Sequence, residues 1–307
     1  YLIMINNHNF NFVNTKKRAK WPIWLLSIIV FALLCWGLLY LNERLETRRE
    51  RLQYWQERAA EQADKTVTII EGWNNEQIAA KLAENNLGFT AKQFLQVAGE
   101  PRQDYRLLPT SKWPHDFSDR YDFLKDKPKY VSLEGYLFPD TYRFSPSSTP
   151  EEVIMRFLDN FDRQLTPTMR QDIKHQGKSI YEIISMASIL EKEVKDEADM
   201  KLVADIFWRR LENGQRLESC ATLAYALGQN KPQYSYEETR LASPYNTYIN
   251  DGLPPGPICN PSLKAIRSAI YPTANDYNFF LNRPDNGQTI FSRTFEEHKL
   301  NKDKYLQ

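Results

Sequence analysis

Ser179-Ile-Tyr-Glu-Ile-Ile-Ser-Met-Ala-Ser-Ile-Leu-Glu-Lys-Glu-Val194 is the stretch on which the fold turns. At about 100° per residue, Ile180, Ile183, Ile184, Ala187, Leu190 and Val194 fall in one stripe, and the period predicts a helix over 179–196. Met186 and Ile189 make a second, partly apolar face. A helix apolar on two sides is buried. Two carboxylates ride on it. Glu191 falls inside the stripe, whereas Glu193 points about 200° away. Burial disfavours the charged carboxylate and raises its pKa, as a general acid near neutral pH requires. An ordinary ion pair with Lys192, Lys195 or a distant arginine is the alternative reading of any Glu-Lys-Glu.

Helical spacing continues on both sides of this segment. Helices are predicted over 150–163, 198–213 and 261–270, the last with Asn260 as cap and Pro261 at its start. A strand pair is predicted around 277–281 and 289–291. Towards the N-terminus come a strand over 66–70, a turn at Glu71-Gly72, a helix beginning at Asn75 and a second one from Thr90 to Val97. Strand, helix and helix within about 40 residues make too small a unit to be stable alone. They either pack on the next domain or resemble half of a LysM-type glycan-binding module. Residues from about 100 to 130 show no period and read as a loop or linker.

Composition removes several function classes. Among 307 residues, 40 Lys and Arg face 39 Asp and Glu, so no bulk positive field supports nucleic-acid binding. Glycine is scarce, and Gly177-Lys178-Ser179 has Asp172 where a phosphate-binding loop needs its first glycine. With four histidines and neither a His-Glu-x-x-His nor a Cys-x-x-Cys, no metal or cofactor is expected.

The N-terminal part predicts a membrane location. The uncharged run over 21–41 would extend roughly 32 Å as a helix, matching a hydrocarbon core of about 30 Å. Lys16, Lys17, Arg18 and Lys20 precede it, which predicts residues 1–20 in the cytoplasm and 42–307 outside. Residues 42–64 mix Arg and Glu without Gly or Pro and read as a solvated helical stalk.

Other segments have unusual composition for a scaffold. Glu134-Gly-Tyr-Leu-Phe-Pro-Asp-Thr-Tyr142 sets aromatic faces beside short polar groups, a combination that suits sugar rings. Arg216-Leu-Glu-Ser-Cys-Ala-Thr222 is a polar turn into a helix. Ser243-Pro-Tyr-Asn-Thr-Tyr248 leads into the rigid Gly252-Leu-Pro-Pro-Gly-Pro-Ile258. Cys220 and Cys259 could be a disulfide or two separate thiols.

In their order these motifs resemble the MltG (YceG-like) family of endolytic murein transglycosylases: Leu133 to Tyr142, Met186 to Glu193, Tyr245 to Tyr248, Gly252 to Gly256, and the strand 277–280. The resemblance covers about 65 to 300. It implies an inner-membrane, single-pass lyase with its catalytic domain on the periplasmic side. Such an enzyme cuts nascent glycan strands between N-acetylmuramic acid and N-acetylglucosamine, leaves 1,6-anhydro ends and so terminates elongation. Its partners would be peptidoglycan strands and the wall-synthesis machinery, without nucleic acid. In the family the acid/base corresponds to Glu193. Glu191, Glu134, Asp140, Tyr245, Asn246 and Thr247 are candidates for support or sugar binding. The turn matching Ser219-Cys220-Ala221 holds an acid and a proline in the family, so its role is open here.

The resulting fold class is α+β: a single-pass anchor (21–41), a stalk (42–64), a small LysM-like lobe with linker (65–130) and a mainly helical catalytic domain with short strands (131–307). A non-catalytic peptidoglycan-binding or division-scaffold protein, or a hydrolase of another polysaccharide, is the alternative.

Overall fold

The structure, a computed structural model, describes residues 23–231 and 233–306. Among the described residues ten α-helices and four short strands follow one another as α1 (Ile23–Gln62), β1 (Lys65–Thr68), α2 (Asn75–Glu84), α3 (Ala91–Ala98), β2 (Thr141–Phe144), α4 (Pro150–Gln164), α5 (Pro167–His175), α6 (Ile180–Glu193), α7 (Glu197–Glu212), α8 (Cys220–Leu227), α9 (Leu263–Ile270), β3 (Phe279–Asn282), β4 (Thr289–Ser292) and α10 (Phe295–Tyr305). The chain divides into two units, Tyr1–Glu61 and Gln62–Gln307. An α+β class with mostly helices agrees with the sequence reading.

The membrane anchor does not. No helix among the described residues is long and apolar enough to cross a membrane. Helix α1 runs without a break into Glu43, Arg44 and Glu46. Residues 21 and 22, and the cytoplasmic tail expected over 1–20, lie outside the described residues.

Within Gln62–Gln307, α6 is the central element and packs against α5, α7, α8 and α9. Every residue from Ile183 to Leu190 is buried, as its two apolar faces predict. Ser179 opens the helix with a capping box to Glu182. The helix ends at Glu193 rather than 196, because Val194 is extended and Asp196 caps α7 through the Ala198 and Asp199 N–H groups. Glu193 is therefore the last residue of the central helix.

The LysM-like lobe is likewise not set apart. The partner of β1 is β2, beyond the expected lobe, paired antiparallel from Lys65 opposite Phe144 to Thr68 opposite Thr141. The α3 helix packs on α4. The stretch expected as a linker buries Tyr105, Phe117, Tyr121, Phe123 and Leu124. Asn260 does not cap a helix; Ser262 caps α9 instead. Buried Asn260 ties three distant segments together: its Oδ1 accepts from the Gly135 and Leu137 N–H groups at 2.9 Å, and its Nδ2 donates to the Trp73 carbonyl at 3.0 Å. Gly135 is required there. At φ +93 its backbone lies so close to Pro257 and Ile184 that a Cβ would come within 2.6 and 2.8 Å of them. The β3–β4 hairpin, Phe279 opposite Ser292 to Asn282 opposite Thr289, is joined by α10.

Candidate active site

Glu193 is half-buried at the C-terminal end of α6 and faces the N-terminus of α8. Its Oε1 accepts from the Ser219 hydroxyl and from the Ala221 backbone N–H at 3.2 Å. No described residue donates to Oε2. Ser219 is the residue before α8, yet its hydroxyl makes no cap bond. Glu193 takes that place, satisfying a helix N–H that would otherwise lack a partner. Burial pushes the Glu193 carboxyl above its ordinary pKa, while the Ser219 and Ala221 bonds and the Arg210 charge pull the other way. The unpartnered Oε2 is the atom free to carry a proton.

Several residues fix this geometry. Thr247, fully buried, accepts the Ser219 N–H at 3.1 Å and shares a 2.7 Å hydrogen bond with the Thr222 hydroxyl. Asn246 braces the loop that carries Thr247, donating to the Thr239 and Leu241 carbonyls and accepting the Tyr248 N–H. Glu218 is held in the left-handed region at φ 49 to aim Ser219 at the carboxylate. From the hairpin, the Asn282 amide donates to the Glu193 carbonyl at 2.6 Å. Arg210 is anchored on the Leu217 and Asn278 carbonyls. With Glu218 it lines a cleft of about 760 Å³ that also holds Arg216, Asp251 and Phe279.

Glu191 leaves the helix in another direction. Its Oε2 accepts from the Ser262 hydroxyl and the Ser262 N–H, the latter at 3.0 Å. Its partner is therefore the start of α9 rather than Lys192, Lys195 or a distant arginine. Burial raises its pKa too, against the Ser262 bonds.

Glu134 is fully buried, with Oε1 accepting from the Asn75 N–H at 3.3 Å and Oε2 from the Tyr225 hydroxyl at 2.6 Å. Burial pushes its pKa up to about 7. Tyr245 packs on Tyr225, ring centroids 4.9 Å apart. Asp140 is the candidate the fold leaves aside. It is exposed, and its partners are Thr141, Asn160 and Ile69 at the β1–β2 pair. Cys220 and Cys259 are both free: the first lies 3.1 Å from the Tyr248 hydroxyl, the second against the Ser188 carbonyl.

Arg210, Asn282, Ser262 and Tyr225 escaped the sequence reading. Arg210 looked like an ordinary basic residue in the last turn of a helix, and Asn282 like the end of an exposed strand. Only the polar turn around Ser219 carried a local signal.

The chain is similar to several known proteins. An endolytic murein transglycosylase of Bacillus subtilis is 32% identical over 240 residues, covering 78% of this chain and 65% of its own length. One from Streptococcus pneumoniae is 34% identical over 245 residues, covering 77% and 44%. The chain thus spans less than two thirds of these relatives. In three dimensions it is similar to a YceG-like protein of Listeria monocytogenes with a TM-score of 0.66 and 32% identity, over 78% of this chain and 76% of that one. The YceG-like family model matches residues 40–304, and this chain belongs to that family.

Proposed function

We propose that this chain is an endolytic lytic transglycosylase that cleaves peptidoglycan glycan between N-acetylmuramic acid and N-acetylglucosamine. The observation that carries the reading is the asymmetric carboxyl of Glu193, anchored through Oε1 and unpartnered at Oε2. A hydrolase needs two carboxylates flanking the scissile bond. Here the nearest one in sequence, Glu191, is turned towards α9. Intramolecular attack by the muramyl 6-hydroxyl needs only one. Protonated Glu193 gives its proton to the departing glycosidic oxygen. The resulting carboxylate, steadied by Ser219 and Ala221, then takes the proton of the attacking hydroxyl, closing the 1,6-anhydro ring without consuming water. The names of the similar proteins from Bacillus subtilis and Streptococcus pneumoniae support the same activity.

Such an enzyme works on the extracytoplasmic side, where nascent glycan lies, beside the machinery that synthesises it. Mass spectrometry of purified glycan strands after digestion tests the proposal. Anhydro-muramyl ends are expected. New reducing ends would indicate a hydrolase instead, and binding without cleavage a non-catalytic module.

A further inference from the structure

The last three residues of α6 are all charged, and they leave the helix in three directions. Glu191 reaches the start of α9 and Glu193 the start of α8. Lys192, between them, points to neither: its Nζ donates to the Gly72 carbonyl at 3.2 Å. Although flanked by two carboxylates, it forms no ion pair among the described residues.

Its ammonium lines a cavity of about 220 Å³, shared with Gly72, Asn74, Gln77, Arg102 and Tyr225. The wall of this cavity is rich in donors, for a specific reason. Asn74 and Gln77 form the capping box of α2, which uses both of their side-chain oxygens: Asn74 Oδ1 accepts the Gln77 N–H at 2.8 Å, and Gln77 Oε1 the Asn74 N–H at 3.0 Å. Their NH₂ groups have no acceptor among the described residues. Arg102 also reaches this wall, but its guanidinium, 5.9 Å from the Tyr225 ring, is paired with the Glu76 carboxylate at 3.2 Å, which leaves Lys192 as the cation of the cavity without an ion-pair partner among the described residues. A site with a cation and amide donors, and no carboxylate of its own on Lys192, is complementary to a bound carboxylate. The volume is below the ~300–1,000 Å³ that encloses a drug-sized ligand, so it fits a substituent rather than a sugar chain. Ala221, whose N–H holds Glu193, also lines this cavity.

We propose that the Lys192 cavity binds a carboxylate carried by the muramyl unit next to the scissile bond. The inference rests on the glycan-cleaving reading above and adds a substrate determinant to it. That carboxylate has two chemical sources: the lactyl group of a peptide-free muramyl unit, or an acidic residue of an attached peptide.

Titration calorimetry with the full chain carrying Glu193→Gln, which leaves oligomers uncut, tests it apart from catalysis. Three probes are used: peptide-free glycan oligomers, peptide-bearing oligomers, and oligomers of N-acetylglucosamine, which have no carboxylate. Adding Lys192→Gln is expected to weaken carboxylate-bearing oligomers roughly tenfold and to leave the N-acetylglucosamine oligomers and the unfolding temperature unchanged. Lys192→Arg is expected to retain binding. Weakening of the peptide-free probe alone assigns the lactyl group, weakening of the peptide-bearing one alone assigns the peptide, and weakening of both shows that the site accepts either carboxylate. Equal loss for all three probes, loss for none, or no binding by the parent overturns the proposal. Absence of anhydro ends from the unaltered enzyme, with the binding pattern intact, would instead sink the cleavage reading alone.

Discussion

Two carboxylates two residues apart at the end of α6 meet two serines at the starts of two helices, and the pairings are nearly superimposable in chemistry. Glu191 takes the hydroxyl and N–H of Ser262; Glu193 takes the hydroxyl of Ser219 and the N–H of Ala221. Burial raises both pKa values. The difference lies in what each serine does next. The Ser262 oxygen also accepts the Ala265 N–H at 3.3 Å and so caps α9. Ser219 caps nothing; its N–H goes to Thr247 and its hydroxyl to Glu193. One serine serves the helix and the other serves the carboxylate. A raised pKa therefore does not by itself mark the working acid; the use of the surrounding donors does.

The largest expected contrast comes from the two amide substitutions. Glu193→Gln keeps an acceptor for Ser219 and Ala221 but removes the exchangeable proton. Glycan cleavage should fall by at least ~10²–10⁴ with the unfolding temperature nearly unchanged. Glu191→Gln should leave cleavage within a few-fold and destabilise by about 1 kcal/mol, through loss of a charged acceptor at a helix start. The measurements are anhydro-end yield and thermal unfolding. Exchanged outcomes would move the assignment by two residues.

Glu134 sharpens the comparison as a carboxylate bonded at both oxygens inside the core. Its folded pKa, about 7, lies above its ordinary 4.5, so the folded state holds the extra proton between those values. Its stabilising contribution is complete below pH 4.5 and is lost as pH rises through about 7. Up to about 3 kcal/mol of stability should disappear over that window, at 1.36 kcal/mol per pKa unit. Denaturant unfolding from pH 4.5 to 8 should show the decline, and Glu134→Gln should flatten it. An unchanged slope in the variant would place the titration elsewhere.

The serines come next. Ser262→Ala should cost about 1 kcal/mol of stability, the usual value of an N-cap, with little effect on rate. Ser219→Ala should do the reverse. Without its hydroxyl the Glu193 carboxylate loses a donor, its pKa rises further, and the decline of activity at high pH moves to higher pH, with roughly a tenfold loss of rate from the less steadied conjugate base. A pH–rate profile with an unmoved high-pH limb would remove Ser219 from the mechanism. The smallest effect is expected from Ala221→Pro. Proline is tolerated in a first helical turn but disfavours the helical conformation of Cys220 before it, so loss of the N–H to Glu193 comes with a cost in stability of about 1 kcal/mol. The limb should shift in the same direction by less.

Much of this arrangement was legible in the sequence. The apolar stripes of α6 forced Glu191 and Glu193 apart, because 100° periodicity is local and needs no tertiary knowledge. The helices over 150–164 and 197–212 and the C-terminal strand pair were legible for the same reason. What periodicity hides is partnership at long range. Nothing near Asn260 announces that it serves Trp73, Gly135 and Leu137 rather than the helix beside it. Nothing near Arg210 announces a carboxylate on another helix. The expected linker carried its apolar residues without a period, since 3₁₀ turns and loops bury side chains irregularly. The expected anchor rested on the apolar run over 21–41, yet no helix among the described residues is long and apolar enough to cross a membrane.

The Asn260 contacts also impose a schedule on folding. The hydrogen bonds that fasten residues 72 and 73 have their partner, Asn260, 188 and 187 positions further along the chain. Strand β1 waits for β2, since Lys65 pairs with Phe144. Closing such large loops is entropically unfavourable and slow, and the contacts give nothing back until both ends exist. In a chain synthesised from its N-terminus, the turn at residues 72 and 73 that leads into α2 must therefore stay unfastened until residue 260 has emerged. The first elements made should be among the last to become protected from hydrogen exchange.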